Sequence, residues 1–274
     1  VKMKLEKGLK FIENIDELSA MPAIALDVMG MLNDPFVSVR DIVNKTMLDP
    51  AMVSYVLKSC NSPLYGIRSE VTSIPIAVNL LGYTNLKSIL MAYFIRNLYR
   101  LSGKNEIKVK LWRHSIAVAV FSKNIAQEIH ADVDESYVAG LLHDIGKMVL
   151  YLDDNLKYEE IIQLVDSGTM NFITAEKKSL EFTHVDTGYF LLEKWKFSQL
   201  LKDVVLFHHD PQMFLGKNKI IGLVAFADQL THVFMEKRFD NLDHFLETLG
   251  LKEKDVDKLV ETSLPTIEEL YNIL

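Results

Sequence analysis

The chain has 274 residues, a formal net charge of -7 from 30 Lys and Arg against 37 Asp and Glu, and a hydrophobic share of 49%. The scattered basic residues argue against a surface that tracks a phosphate backbone, and no apolar run approaches membrane-span length, so neither nucleic acid nor a membrane is expected as a partner. The single cysteine, Cys60, excludes an intramolecular disulfide framework, and its apolar neighbours fit a buried small hydrophobe.

The N-terminal Val1-Lys2-Met3-Lys4 lacks the continuous apolar segment of a secretion signal, so a cytoplasmic location is expected. In chain order the text reads helix after helix, with no sustained period-2 alternation and no Asn-Gly or Asp-Gly hairpin turn, which makes the fold all-α. A first helix is expected over 5–14, and Pro22 starts a second carrying Ile24, Leu26, Val28, Met29 and Leu32 that ends at Asp34-Pro35. Ser38 caps a helix to about Leu48; Asp49-Pro50 starts another that ends near Cys60 at Asn61-Ser62-Pro63. Helices over 74–81 and 85–101 are separated by Gly82 and Thr84. Met21, Met29, Met31, Met47 and Met52 would be core residues or an adaptable contact surface.

The polar Ser102-Gly103-Lys104-Asn105 reads either as an internal loop of one continuous body or as a boundary between an N-terminal helical lobe, 1–104, and a second body, 105–274. There the expected helices are 107–130, 135–150, 157–167, 171–180, 185–195, 198–209, 218–236 and 240–249, then two more, with Asp134 and Ser198 as caps and Pro265 in the last helix's first turn. Phe197, Phe207, Phe214, Phe226 and Phe234 are read as packing residues.

This second body carries the chemistry. His143-Asp144 lies in Leu141-Leu142-His143-Asp144-Ile145-Gly146, a stretch otherwise written for burial, where a charge needs a compensating partner. A divalent metal is one such partner; a hydrogen-bonded structural pair is another. Adjacent positions on a helix point about 100° apart, so both side chains reach one ion only if the helix passes close, which Gly140 and Gly146 would permit. His114, in Trp112-Arg113-His114-Ser115, taken by itself reads as a core or half-exposed histidine before it reads as a ligand. His208-His209 closes a helix, where protonated imidazoles also suit the dipole, and Asp228 ends an apolar run that leaves its carboxylate needing a cation or several donors.

Nitrogen and oxygen donors without thiolates suit Fe, Mn, Ni, Co or Zn. The set His114, His143, Asp144, His184, His208, His209 and Asp228 is too large for one tetrahedral ion; two divalent ions bridged by Asp144 would use all of it. Lys147, four residues beyond His143, either holds a phosphate oxygen or is an ordinary surface lysine. No Gly-rich phosphate loop, G-x-S-x-G elbow, H-E-x-x-H or Cys-x-x-Cys occurs.

Taken in order, His114, His143-Asp144, His184 and Asp228 resemble the HD superfamily of metal-dependent phosphohydrolases, with Leu141 to Lys147 the sharpest match. His184 to Gly188 resembles that group's H-x-x-x-G step, and His208-His209 resembles the paired histidines of its HD-GYP branch. Asp210-Pro211-Gln212-Met213 follows where that branch would carry Gly-Tyr-Pro, which argues against cleavage of a cyclic dinucleotide.

A narrower resemblance, to the HDOD family, rests on Met21-Pro22, Asp49 to Met52, Leu57 to Gly66, Ile74 to Val78 and Leu80-Leu81-Gly82. Together these similarities cover about 15–235 and imply an HD-like multi-helix bundle with an N-terminal HDOD lobe, the two forming one unit. They also imply a regulatory or output module of bacterial signalling that binds a small phosphorylated ligand or a partner protein. The alternative they leave is a metal-dependent phosphohydrolase acting on a nucleotide or other phosphoester through metal-activated hydroxide, with Lys147, His208 and His209 in catalytic roles.

Overall fold

The computed structural model describes residues 27–273 apart from 29, 33, 35, 68, 101–105, 211–217 and 237–241. Among the described residues every regular element is a helix. The helix expected over 5–14, the start at Pro22, and Met21, Met29, Phe214 and Phe234 lie outside the residues or side chains described.

Capping chemistry sets the early boundaries. Ser38 Oγ accepts from Asp41 N at 3.1 Å and starts α1, Val39–Thr46; Asp49 Oδ1 accepts from Ala51 N at 2.8 Å and Met52 N at 3.2 Å, starting α2, Pro50–Cys60. A single helix, α3, runs Ile74–Arg100, but Gly82 stands in it at φ 74° and ψ 174°. The two helices expected here are its two arms, joined at a kink that needs the backbone freedom of glycine.

After these come α4 (Glu106–Glu128), α5 (Val133–Leu142), α6 (Ile145–Asp153), α7 (Asn155–Asp166) and α8 (Phe172–Leu180). The chain closes with α9 (His184–Lys194), α10 (Gln199–Phe207), α11 (Lys219–Glu236), α12 (Leu242–Leu249) and α13 (Glu253–Ile273). Three departures from the sequence reading have physical reasons. The cap of α5 is Asp132, not Asp134, because its side chain is the one that accepts from Glu135 N, at 2.8 Å. The two helices expected at the end are one, with Pro265 inside α13: Val256, Leu259, Ser263, Ile267 and Leu270 keep one buried stripe running through the proline. The helix expected over 135–150 is broken at His143-Asp144, for the reason given below.

The long helix α4 is the organising rod, packed by α5, α11 and α13, while α9 lies against α6 and α10. Around it runs one apolar cluster that includes Val28, Cys60, Phe121, Phe197, Phe226 and Leu270. A separate satellite cluster, Leu150, Tyr151, Tyr158, Ile161, Ile162 and Ala175, holds α7 and α8 to the end of α6. Met52 belongs to the core and Met31 packs against it, whereas Met47 is exposed, so among the described methionines of this group the contact-surface reading survives for Met47 alone. No described helix is long and apolar enough to cross a membrane.

Two glycines permit closest approach. A Cβ on Gly140 would lie 2.9 Å from Ala119 Cα, and one on Gly146 would lie 1.9 Å from His184 O and 2.9 Å from Gly188 N. Expected from the sequence to let a helix approach an ion, these glycines instead permit contact between helices, α5 against α4 and α6 against α9, and this brings the first residue of α9 beside the break before α6.

Candidate metal centre

Each candidate sits where an element begins, ends or crosses the middle of the bundle. His114 lies on α4, Asp228 on α11, Lys147 in the first turns of α6, and His184 is the first residue of α9. His208 and His209 follow α10, with His208 at the cap position. His143 and Asp144 occupy the two-residue break between α5 and α6, where Asp144 takes φ -106° and ψ 15°. In an unbroken helix their side chains would diverge by about 100°. The break turns both inward, so Asp144 Oδ2 lies 3.3 Å from His143 Nε2.

Asp144 is the hub. Its Oδ1 is 3.4 Å from His184 Nε2 and 3.4 Å from His208 Nε2; its Oδ2 is 3.5 Å from His114 Nε2 and 2.6 Å from Lys147 Nζ. At the other end Asp228 Oδ1 is 3.0 Å from His114 Nε2 and 3.7 Å from His143 Nε2. His209, exposed along one edge, brings its Nε2 to 3.0 Å from His184 Nε2. All seven proposed donors therefore meet in one locus, and Lys147 meets them there. The surface-lysine reading of Lys147 is wrong: it is 3% exposed, with its ammonium on Asp144 and 4.2 Å from the centre of the Phe172 ring.

The far ring nitrogens fix which way the lone pairs point. His143 Nδ1 is 2.7 Å from Gly140 O, and His208 Nδ1 is 3.0 Å from Val205 O. A carbonyl oxygen only accepts, so each Nδ1 donates, and in the neutral ring Nε2 is the unprotonated atom aimed at the shared centre. Asp144 Oδ1, His208 Nε2 and Asp228 Oδ1 are all buried without a hydrogen-bond partner.

Donors about 2.1 Å from one cation, at angles between 90° and 110°, stand about 3.0 to 3.5 Å apart. Most of the separations above fall in that range, closer than lone pairs facing one another would choose unaided. Three groups have ligand atoms within 4.8 Å of one another: Asp144 with His184, His208 and His209; His114 with His143 and Asp144; and His114 with Asp228 and His232. The residues present thus fit a divalent cation, and their number fits more than one.

Electrostatics agree. Burial opposes ionisation of Asp144, but Lys147 and His143 outweigh it and hold the carboxyl well below its usual range. Asp228 is likewise held low against its burial by His114, His143 and His232. Burial pushes His114 down to about 4 and also lowers His208. It would lower His143 as well, yet Asp144 and Asp228 prevail and raise it to about 9. Two buried carboxylates thus attract positive charge at His143, and a metal ion taking that place would displace a proton.

Two residues at the centre escaped the sequence reading. Glu176 on α8 is fully buried and accepts from His184; only Thr174-Ala175-Glu176 announces it, and nothing there signals burial. His232 on α11 puts its Nε2 3.4 Å from Asp228 Oδ1, and the i, i+4 spacing from Asp228 was a readable signal. Replacing this half-exposed side chain, His232→Ala, is expected to weaken divalent-cation binding about tenfold, as loss of a ligand's partner does. Competition against a chromophoric chelator measures it, and unchanged affinity would leave His232 a bystander ion pair.

A model of the HDOD domain family matches residues 18–211. A solved HDOD domain protein of unknown function from Geobacter sulfurreducens is 26% identical, with a TM-score of 0.81 over 100% of this chain and 99% of its own. An uncharacterized protein of Treponema pallidum (strain Nichols) is 25% identical over 79% of this chain and 42% of its own. Ribonuclease Y of Thermus thermophilus is 27% identical over 70% of this chain and 27% of its own length. The chain spans under half the length of these two curated relatives.

Proposed function

The chain belongs to the HDOD domain family, and from that premise we propose that it is a metal-dependent phosphohydrolase acting on phosphoesters of the nucleotide type. The observation that carries this reading is Asp144: a buried carboxylate with one oxygen facing two imidazoles and lacking a hydrogen-bond partner, the other shared by His143, His114 and Lys147. A structural His-Asp pair needs none of the additional imidazoles gathered here. The sequence alone favoured the signalling module; the convergence of seven donors moves the weight to hydrolysis.

A divalent cation held at such a site supplies a Lewis acid and an activated water. On this reading His114, His143, Asp144, His184, His208, His209 and Asp228 are the donor set. Lys147 holds Asp144 ionised and correctly turned in place of gripping phosphate itself. Desolvation of its ring, with His208 and His184 beside it, holds the His209 imidazole well below its usual range, so it is a neutral lone-pair donor at the edge of the set and not the source of a proton for a departing oxygen. The relationship to ribonuclease Y, whose name declares RNA as its substrate, favours a phosphodiester over a monoester. We take the lobes 1–104 and 105–274 to work as one unit, because Lys123 on α4 reaches back to Leu64 O at 2.8 Å and lies over the Tyr65 ring at 4.6 Å.

The test is elemental analysis of the purified protein, followed by hydrolysis of nucleotide monoesters, diesters and a short RNA with added Mn or Fe, against a His143→Ala, Asp144→Ala control. The expected result is bound transition metal, diester turnover abolished in the control, and a single melting transition that falls on metal removal by chelator. Metal bound without turnover above the control would return the protein to the second reading, a binding module, which the missing Gly-Tyr-Pro favours. Failure to bind metal under any loading condition would remove the site itself.

A further inference from the structure

Glu176 is a charge with no exposed surface, and such a group is tolerated only when donors surround it. Three do. Its Oε2 accepts from His184 N at 2.8 Å and lies 2.7 Å from His184 Nδ1, while Oε1 accepts from Tyr158 OH at 2.6 Å. Two of the three bonds go to one residue, which clamps both the backbone and the ring of His184. Since a carboxylate only accepts, Nδ1 carries the proton and Nε2 presents its lone pair 3.4 Å from Asp144 Oδ1.

Glu176 and Tyr158 stand on α8 and α7, helices whose apolar cluster is separate from the main core. Besides this clamp, the same pair of helices reaches the centre through Phe172, whose ring faces Lys147. Were α7 and α8 there only to cover the bundle, an apolar residue at 176 would serve without the desolvation cost of a carboxylate.

We propose that Glu176, oriented by Tyr158, is the positioning residue of the metal centre: it fixes the tautomer and direction of His184 and raises the electron density at its Nε2. The proposal rests on the functional reading above for its effect on metal, but not for the tautomer. A histidine ligand whose other nitrogen donates to a carboxylate binds metal more tightly, and loss of such a partner costs 10- to 100-fold in affinity.

Glu176→Gln is the sharpest test, because its amide oxygen can still accept from His184 while the charge is gone. Metal affinity by chelator competition is expected to fall 10- to 100-fold, with the metal-free protein melting near the wild-type temperature. Nitrogen NMR of the metal-free wild type is expected to show His184 protonated at Nδ1, with a downfield Nδ1 proton that moves upfield in Glu176→Gln. Tyr158→Phe, which keeps the carboxylate but loosens it, should weaken metal binding by a smaller factor and covers the case in which Glu176→Gln does not fold. Wild-type affinity in both variants, or His184 protonated at Nε2, overturns the proposal. A wild type that binds no metal yet gives the Nδ1 signature would sink the functional reading and the affinity effect while leaving the tautomer assignment standing.

Discussion

Asp144→Ala is expected to abolish metal binding and to cost the metal-free protein about 3 to 5 kcal/mol, the toll of leaving one member of a buried ion pair alone. The member left alone is Lys147, 3% exposed, whose ammonium has Asp144 as its 2.6 Å partner and the Phe172 ring above it. Burial alone would lower the Lys147 pKa, and Asp144 outweighs it to raise the group above its ordinary value. Adding Lys147→Met to Asp144→Ala removes the orphaned charge and should recover most of the lost stability, since a well-packed apolar side chain replaces a buried ion at little cost. Metal binding should not return. Urea unfolding of the two variants, with metal titrations in parallel, separates the structural role of the pair from its role at the centre; a double variant as unstable as the single one would contradict it.

A pH series tests that pair poorly, and the signs show why. Asp144 has a depressed folded pKa, so its stabilisation is present above the unfolded value of about 3.9 and is lost only as pH falls through the lower folded one. Lys147 has a raised folded pKa, so its contribution is complete below about 10.4 and fades only as pH rises through the higher folded value. Between those limits both contributions are flat, and mutation is the informative perturbation.

How much of this was legible beforehand follows from which interactions are local. Ser38, Asp49 with Pro50, Ser198 and Gly82 act through backbone groups within a few residues, and each marks a real boundary or kink. The motif residues from His114 to Asp228 were legible because buried imidazoles and carboxylates stand out against apolar text. The break at His143-Asp144 was not, since Leu141, Leu142, Ile145 and Met148 continue the apolar pattern straight across it and no proline intervenes. Only the demand that both side chains face one centre, together with the contact at Gly146, ends the helix there. Glu176 was hidden for the same reason: followed by Lys177 and Lys178, it reads as part of a solvated face until His184 and Tyr158 are brought to it.

Gly146→Ala should be the most damaging change that alters no donor. The new Cβ would stand 1.9 Å from His184 O, 2.7 Å from His184 C and 2.9 Å from Gly188 N. All three are backbone atoms, so no rotamer relieves the overlap, and α6 must move away from the start of α9. Overpacking of this kind typically costs 1 to 3 kcal/mol where side chains can yield, and here about 3 kcal/mol or more is expected. The displacement also separates Asp144 from His184, now 3.4 Å apart at their nearest donors, so metal affinity should fall even though every ligand is present. Gly30→Ala is the matched control: a Cβ there meets nothing within 4 Å, and relief of glycine's helix penalty should make it neutral or stabilising by up to about 1 kcal/mol. If Gly146→Ala melts with the wild type and keeps its metal affinity, the close contact between α6 and α9 does not set the geometry of the centre. If it loses both, the spacing of two helix backbones ranks with the histidines in building the site.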